Sequence, residues 1–275
     1  MGCACRGSAG LAHLRCLVEA ALHNVESWTT CHVCRQEFTG EADVGLGRAR
    51  WERVRGRPAE DEERLFVANN LAVTLKESAG DNDGALRLMQ EVLAVRRRLG
   101  DEHATLDSLI NLALQHHEMT AYAAALPLGE EAVATARRTL GDEHVDTSVA
   151  VASLGAIHSS MGDFALARPL LEQALEARRR TLGEAHLETM NSTFLLGQCL
   201  VGLGERSEGL RLYEAAAAAS RRVLGEAHPS TEHFAQGLRR ASATVAVEAP
   251  AATAMEEKEA VEVEAVEVVE TEAVD

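Results

Sequence analysis

Aromatic side chains are nearly missing from this chain: Phe, Trp and Tyr make up 3% of its 275 residues. A folded core must therefore be assembled from Leu, Ala and Val. That suits close-packed helices better than a β-sandwich, whose strands favour aromatic and β-branched side chains. Basic charge is also short, with 27 Lys and Arg against 43 Asp and Glu and a formal net charge of −16. No basic face for nucleic acid is expected from such a balance. No apolar run approaches the roughly 18 residues that a membrane span needs. The N-terminus lacks the clean apolar stretch of a secretory signal, since Arg6 and Arg15 flank none. A cytoplasmic location is the expectation, with the nucleus left open. Nothing in the chain offers a nucleophile, a phosphate loop or a carboxylate pair set up for catalysis. Cysteine is scarce outside one place: five of the six lie in the first 34 residues and Cys199 stands apart. In a reducing compartment, such crowding reads as metal ligation before disulfide formation.

What the chain does contain is a repeat. Leu99-Gly100, Leu140-Gly141, Leu182-Gly183 and Leu224-Gly225 follow one another at spacings of 41, 42 and 42 residues. Each Leu-Gly leads into an acid-x-His triplet ending at His103, His144, His186 and His228. A Thr follows three residues later in three copies (Thr147, Thr189, Thr231) and two later in the other (Thr105), which places a one-residue deletion there. Four marks in register across four copies define a structural repeat. Each unit reads as two helices. The first carries Leu at core spacing, as in Leu109, Ile110 and Leu112, and ends near Gly162 or Gly204. The second begins around Tyr122, Phe164 or Arg206 and carries an apolar stripe, for example Ala167, Leu170, Leu171, Ala174 and Leu175. It closes on Arg pairs or triplets that complement the negative end of the helix dipole, and the following Gly supplies a C-cap. Asp163 is placed to cap the second helix of its repeat. Small residues at Ala125, Ala167 and Gly209 allow the paired helices to approach closely. One hairpin cannot bury its own stripe, so stability must come from stacking neighbours. The repeated His lie a whole repeat apart, too far to converge on one metal, and read as turn residues bonded locally.

These motifs resemble the tetratricopeptide repeat, in the 42-residue form of kinesin light chains. The resemblance runs through Asn111-Leu-Ala, Ala121-Tyr122, Ala125-Leu-Pro-Leu, Glu130-Glu-Ala-Val and Arg137-Arg-Thr-Leu-Gly-Asp-Glu-His144, and again through Gly162-Asp-Phe and Ala167-Arg-Pro-Leu-Leu-Glu-Gln-Ala-Leu. It implies an all-α tetratricopeptide α-solenoid of four hairpins, about 59–100, 101–141, 142–183 and 184–225, with a capping helix in 226–241. It also implies that the first helices line a concave groove that takes peptides from other proteins. The family's groove asparagine maps onto Asn70, Asn111, Ser153 and Leu195, with Asn191 one turn earlier in the last repeat. Glu102 to Met119, Val145 to Met161 and Leu187 to Leu203 contain no Lys or Arg, whereas the resemblance to kinesin light chains would call for basic groove residues and acidic cargo. Neutral or basic peptide partners are therefore expected.

The N-terminal residues read Cys3-x-Cys5, His13-x-x-Cys16 and Cys31-x-x-Cys34. Short-spaced thiolates and imidazole are what a tetrahedral Zn2+ site requires. The stretch resembles the later ligand pairs of a RING-CH (variant RING) finger over residues 1–40. That resemblance implies a zinc-binding finger in which Cys3, Cys5, Cys31 and Cys34 form one site and His13 and Cys16 half of another. The missing first pair would lie upstream of Met1, or the finger holds one zinc. Residues 41–58, with Arg48, Arg50, Arg53, Arg55 and Arg57 around Trp51, read as a solvated connecting helix. Residues 242–275 read as an acidic disordered tail: Glu248 to Asp275 hold ten acidic residues and one Lys. Two functions follow. The first is a non-enzymatic adaptor whose repeats hold one partner and whose finger holds another. The alternative is a ubiquitin ligase in which the repeats recruit substrate and the finger takes a ubiquitin-conjugating enzyme.

Overall fold

Three of the helices start on an aspartate whose carboxylate accepts a backbone N–H one turn ahead. Asp61 accepts from Arg64 at 2.9 Å, Asp81 from Gly84 at 2.9 Å and Asp101 from Ala104 at 3.0 Å. Each satisfies a donor that the first helical turn would otherwise leave open. The computed structural model describes residues 17–19, 21 and 40–243, and every regular element among them is an α-helix. They are α1 (Glu41–Val54), α2 (Glu62–Ala79), α3 (Asn82–Leu99), α4 (Glu102–Glu118), α5 (Tyr122–Leu140), α6 (Val145–Met161), α7 (Phe164–Leu182), α8 (Leu187–Gly202), α9 (Arg206–Leu224) and α10 over 229–243. The even-numbered helices α2 to α8 are the first members of successive hairpins and the odd-numbered α3 to α9 are the second members.

The two classes are buried differently, as their sequences require. In α5 the buried residues Ala125, Gly129, Ala132, Val133 and Ala136 form one stripe at helical spacing, the mark of a helix with one face in the core. In α4 the buried set Leu106, Ser108, Leu109, Ile110, Leu112 and Ala113 wraps much of the circumference. A first helix is thus covered on more sides than a second helix.

The chain divides into two compact units, Met1–Ile157 and His158–Asp275, with the boundary inside α6. In the first unit Leu65, Ala68, Val92 and Val95 form a core against which Trp51 and Leu88 pack. Helix α1 is therefore anchored by Trp51, and the Arg64 guanidinium lies 5.8 Å from the Trp51 ring centre. Two of the arginines around it face acids: Arg55 pairs with Glu52 and Arg57 with Glu63 and Asp61. Leu17 and Ala21 are buried against Ala42 and Leu46. In the second unit Ala167, Leu171, Leu175, Leu196, Cys199, Leu200 and Leu212 make one cluster. Three of the scarce aromatics gather in another. Phe194 sits 4.8 Å from Tyr213 and 5.1 Å from Phe234, centre to centre, with Met190, Ala216 and Ala217 around them.

The junctions between hairpins come in two forms. Gly141, Gly183 and Gly225 have φ 82 to 86° with ψ 165 to 167°. That conformation is essentially confined to glycine. The next helix is then started by the repeated histidine: the Nδ1 of His144, His186 and His228 accepts the N–H of Asp146, Glu188 and Ser230 at 3.1 to 3.2 Å. The α3–α4 junction is one residue shorter. Gly100 there is left-handed at φ 71°, ψ 16°, and Asp101 caps instead. The deletion therefore exchanges one cap for another and pushes His103 into the first turn of α4. Two of the threonines tie these junctions, Thr147 Oγ1 donating to the Gly141 carbonyl at 2.7 Å and Thr189 Oγ1 to the Arg178 carbonyl at 3.4 Å. Asp163 departs from expectation: it occupies the residue before α7 but makes no side-chain cap, and its carboxylate instead lies 3.7 Å from His158 Nδ1.

Ala125 and Ala167 are fully buried at their helix crossings. Gly209 goes further. A Cβ there would lie 2.8 Å from the Gly197 carbonyl oxygen and 3.0 Å from the Val201 nitrogen, so α8 and α9 meet backbone to backbone.

Candidate functional site

Two cavities lie along the first helices. In the first unit a cavity of about 270 Å³ is lined by Asn69 of α2, Arg96 of α3, Asp107, Ile110 and Asn111 of α4, and Asp146 and Val149 of α6. In the second unit a cavity of about 330 Å³ is lined by Leu187, Glu188 and Asn191 of α8 and by Pro229, Ser230, His233 and Phe234 of α10. Both use the same register. Counted from the repeated Thr, the residues one before and two after it face the opening: Asp146 and Val149 in α6, Glu188 and Asn191 in α8, Ser230 and His233 in α10, and Asp107 in α4.

Of the residues expected to meet a peptide, Asn111 and Asn191 line these two cavities. Asn70 does not join Asn111. It lines a separate small cavity of about 30 Å³ beside α1 with Asp43, Gly47 and Thr74, and the residue that shares the larger cavity is its neighbour Asn69. Ser153 is buried, and its hydroxyl donates to the Val149 carbonyl at 2.9 Å within the same helix. Leu195 packs against the core of the second unit. Asp107, Asp146 and Glu188 were missed by the sequence reading. The repeat register carried the signal for them, since all three hold fixed offsets from Thr105, Thr147 and Thr189.

Each opening has its own electrostatics. In the first unit the Arg96 guanidinium donates to the Ala104 carbonyl at 2.7 Å and to Ser108 Oγ at 2.9 Å, holding the end of α3 to the start of α4. Asp107 has its carboxyl pushed above the usual range by loss of water around it; Asp146 and Asp101 add to the push, while His103 and Arg96 oppose it. Asp146 lies 3.7 Å from His103 and 3.5 Å from His144. In the second unit Arg178, only 2% exposed, donates to the Glu188 carbonyl at 3.0 Å and to Ser192 Oγ at 2.7 Å, and faces the Glu188 carboxylate at 2.9 Å. Burial lowers its pKa and Glu188 opposes that shift. Both arginines pin a second helix to the first turn of the next hairpin, which sets where the acidic residues stand.

Tetratricopeptide-repeat sequence profiles match residues 63–138, 108–180 and 147–208, and a further one matches 195–230. The chain belongs to the tetratricopeptide-repeat family. Solved structures agree on the fold. A candidate kinesin light chain from Podosopora anserina with nearly identical TPR-like repeats is 23% identical, with a TM-score of 0.55, over 77% of this chain and 98% of that one. BtubC (BKLC) from P. vanneervenii is 17% identical, with a TM-score of 0.55, over 78% of this chain and 89% of that one. Among curated proteins no sequence matches. The tetratricopeptide array is thus an all-α solenoid fold of the kind that serves as a protein-interaction scaffold.

The cysteine and histidine pattern of the N-terminus (Cys3, Cys5, His13, Cys16, Cys31, Cys34) lies outside the described residues, as does the acidic tail. Among the described residues no group of three or more His, Cys, Asp and Glu is arranged to hold a metal ion. None of the described helices is long and apolar enough to cross a membrane. Cys199, the cysteine that stands apart in the sequence, is a core thiol: its Sγ donates to the Phe164 carbonyl at 3.3 Å and burial pushes its pKa up.

Proposed function

We propose that this tetratricopeptide array is a non-enzymatic adaptor that binds peptide segments of partner proteins along its first helices, with neutral or basic peptides as the preferred class. The observation that carries this reading is the first-unit cavity, where the Asn69 and Asn111 amides stand beside the carboxylates of Asp107 and Asp146. Amide side chains offer both a donor and an acceptor, which suits an extended peptide backbone. Carboxylates at the same opening disfavour acidic cargo. Selection of a displayed random-peptide library on the full-length protein tests the reading. Peptides are expected to be retained by the native chain and lost on Asn111→Ala. Selection of acidic peptides whose binding disappears at high salt would overturn the charge preference.

The N-terminal pattern supports a separate proposal, that Cys3, Cys5, Cys31 and Cys34 bind Zn2+, with His13 and Cys16 contributing to a second site. Zinc content of the purified full-length chain is the test, with loss of metal expected when Cys31 and Cys34 are both changed to Ser. A metal-free native protein would remove the proposal.

A further inference from the structure

The first-unit cavity has a composition more specific than a general peptide groove. Its volume, about 270 Å³, is below the roughly 300–1,000 Å³ of small-molecule sites, so it suits one side chain rather than a whole metabolite. Its wall is apolar at Ile110 and Val149. Its lining carries two carboxylates, Asp107 and Asp146, against one guanidinium, Arg96. Arg96 already donates to the Ala104 carbonyl and Ser108 Oγ. Asp101 is spent on capping α4. His103 and His144 lie 3.7 and 3.5 Å from Asp146. Asp107 and Asp146 line the same cavity, and like charges held in one cavity repel. A cation placed between two such carboxylates relieves that repulsion.

We propose that this cavity is the anchor for a single Lys or Arg side chain of the bound peptide: Ile110 and Val149 pack along its aliphatic stem, Asp107 and Asp146 take its charged end, and Asn69 and Asn111 hold the peptide backbone on either side. A stem with a cationic tip is the side chain whose two halves match an apolar wall and a pair of carboxylates at the opening. An inorganic cation would leave the apolar wall without a partner. This anchor rests on the peptide-groove reading above.

The test uses the full-length protein and a displayed random-peptide library, followed by synthetic versions of one selected peptide carrying Lys, Arg, norleucine or Glu at the selected position. The native chain should enrich Lys or Arg at one position, bind the Lys and Arg peptides about fivefold more tightly than the norleucine peptide, and bind the Glu peptide more weakly still. Asp107→Asn with Asp146→Asn keeps the shape of both side chains. That variant should bind the norleucine peptide as the native protein does while losing the preference for Lys and Arg. Selection of peptides that depend on Asn111 but show no basic preference, or a preference unmoved by the double substitution, overturns the anchor and leaves the groove reading standing. Selection of no peptides, or of peptides indifferent to Asn111→Ala, overturns both.

Discussion

Glycine does three different jobs in this chain, and each has its own signature. At Gly209 the constraint is contact, since a methyl group would press on the α8 backbone. Gly209→Ala should cost about 1–3 kcal/mol by forcing the two helices apart, measured by urea unfolding. At Gly183 there is nothing within 4 Å of an added Cβ, so the cost is purely conformational. At Gly100 the backbone is ordinary left-handed helix, which asparagine also adopts. Gly100→Asn should therefore be nearly neutral, whereas Gly183→Asn should lose roughly 1–3 kcal/mol. Equal losses at both would contradict this division. Tyr213 supplies a pH signature. Burial pushes its phenol from the ordinary 10 up to about 12. A raised folded-state value means that stability is fully present below pH 10 and drains away as the pH rises from 10 towards 12. Phenolate absorbance during an alkaline titration should show a late-ionising tyrosine that disappears in Tyr213→Phe.

Element boundaries in the repeats are written twice, once by a glycine that ends a helix and once by a residue that starts the next. The starter is the more replaceable of the two. His186 accepts the Glu188 N–H through its ring nitrogen, and any short acceptor can do the same, as Asp101 does at the shorter junction. His186→Ala should lower stability by about 1 kcal/mol while His186→Asn restores most of it; failure of Asn to rescue would mean that the imidazole matters for packing instead. The pinning arginines are less forgiving. Arg178→Ala would leave the Glu188 carbonyl and the buried Ser192 hydroxyl without their donor, a loss of about 3 kcal/mol or more.

A tandem array is stabilised by nearest neighbours, so damage at one end should stay there. Phe234 of α10 is fully buried against Phe194. Phe234→Ala should cost about 3–5 kcal/mol, and hydrogen exchange should accelerate across α8, α9 and α10 while the amides of α2 to α4 keep their protection. Uniform acceleration would show that the two compact units unfold as one. The same modularity bears on function: because each cavity is built within one unit, substitutions around Asn111 should leave the cavity around Asn191 intact.

The repeat, the helix boundaries at Tyr122, Phe164 and Arg206, and the Leu- and Ala-rich core were all legible in the sequence alone, because in such an array each contact spans about one repeat and the period records it. The groove was legible only in outline. Asn70 and Asn69 differ by one position, yet one step along a helix turns a side chain by about 100°, and that rotation sends Asn70 towards α1 and Asn69 into the cavity with Asn111. Ser153 occupies the right register but bonds to its own helix. The exchange of a histidine cap for an aspartate cap at the shorter junction was likewise invisible, since the same Gly-Asp-Glu-His run stands at 100–103 and at 141–144. Which helices exist was decided by local pattern; which of their polar side chains share a cavity was decided by the angle at which neighbouring helices pack, a quantity that no single helix contains.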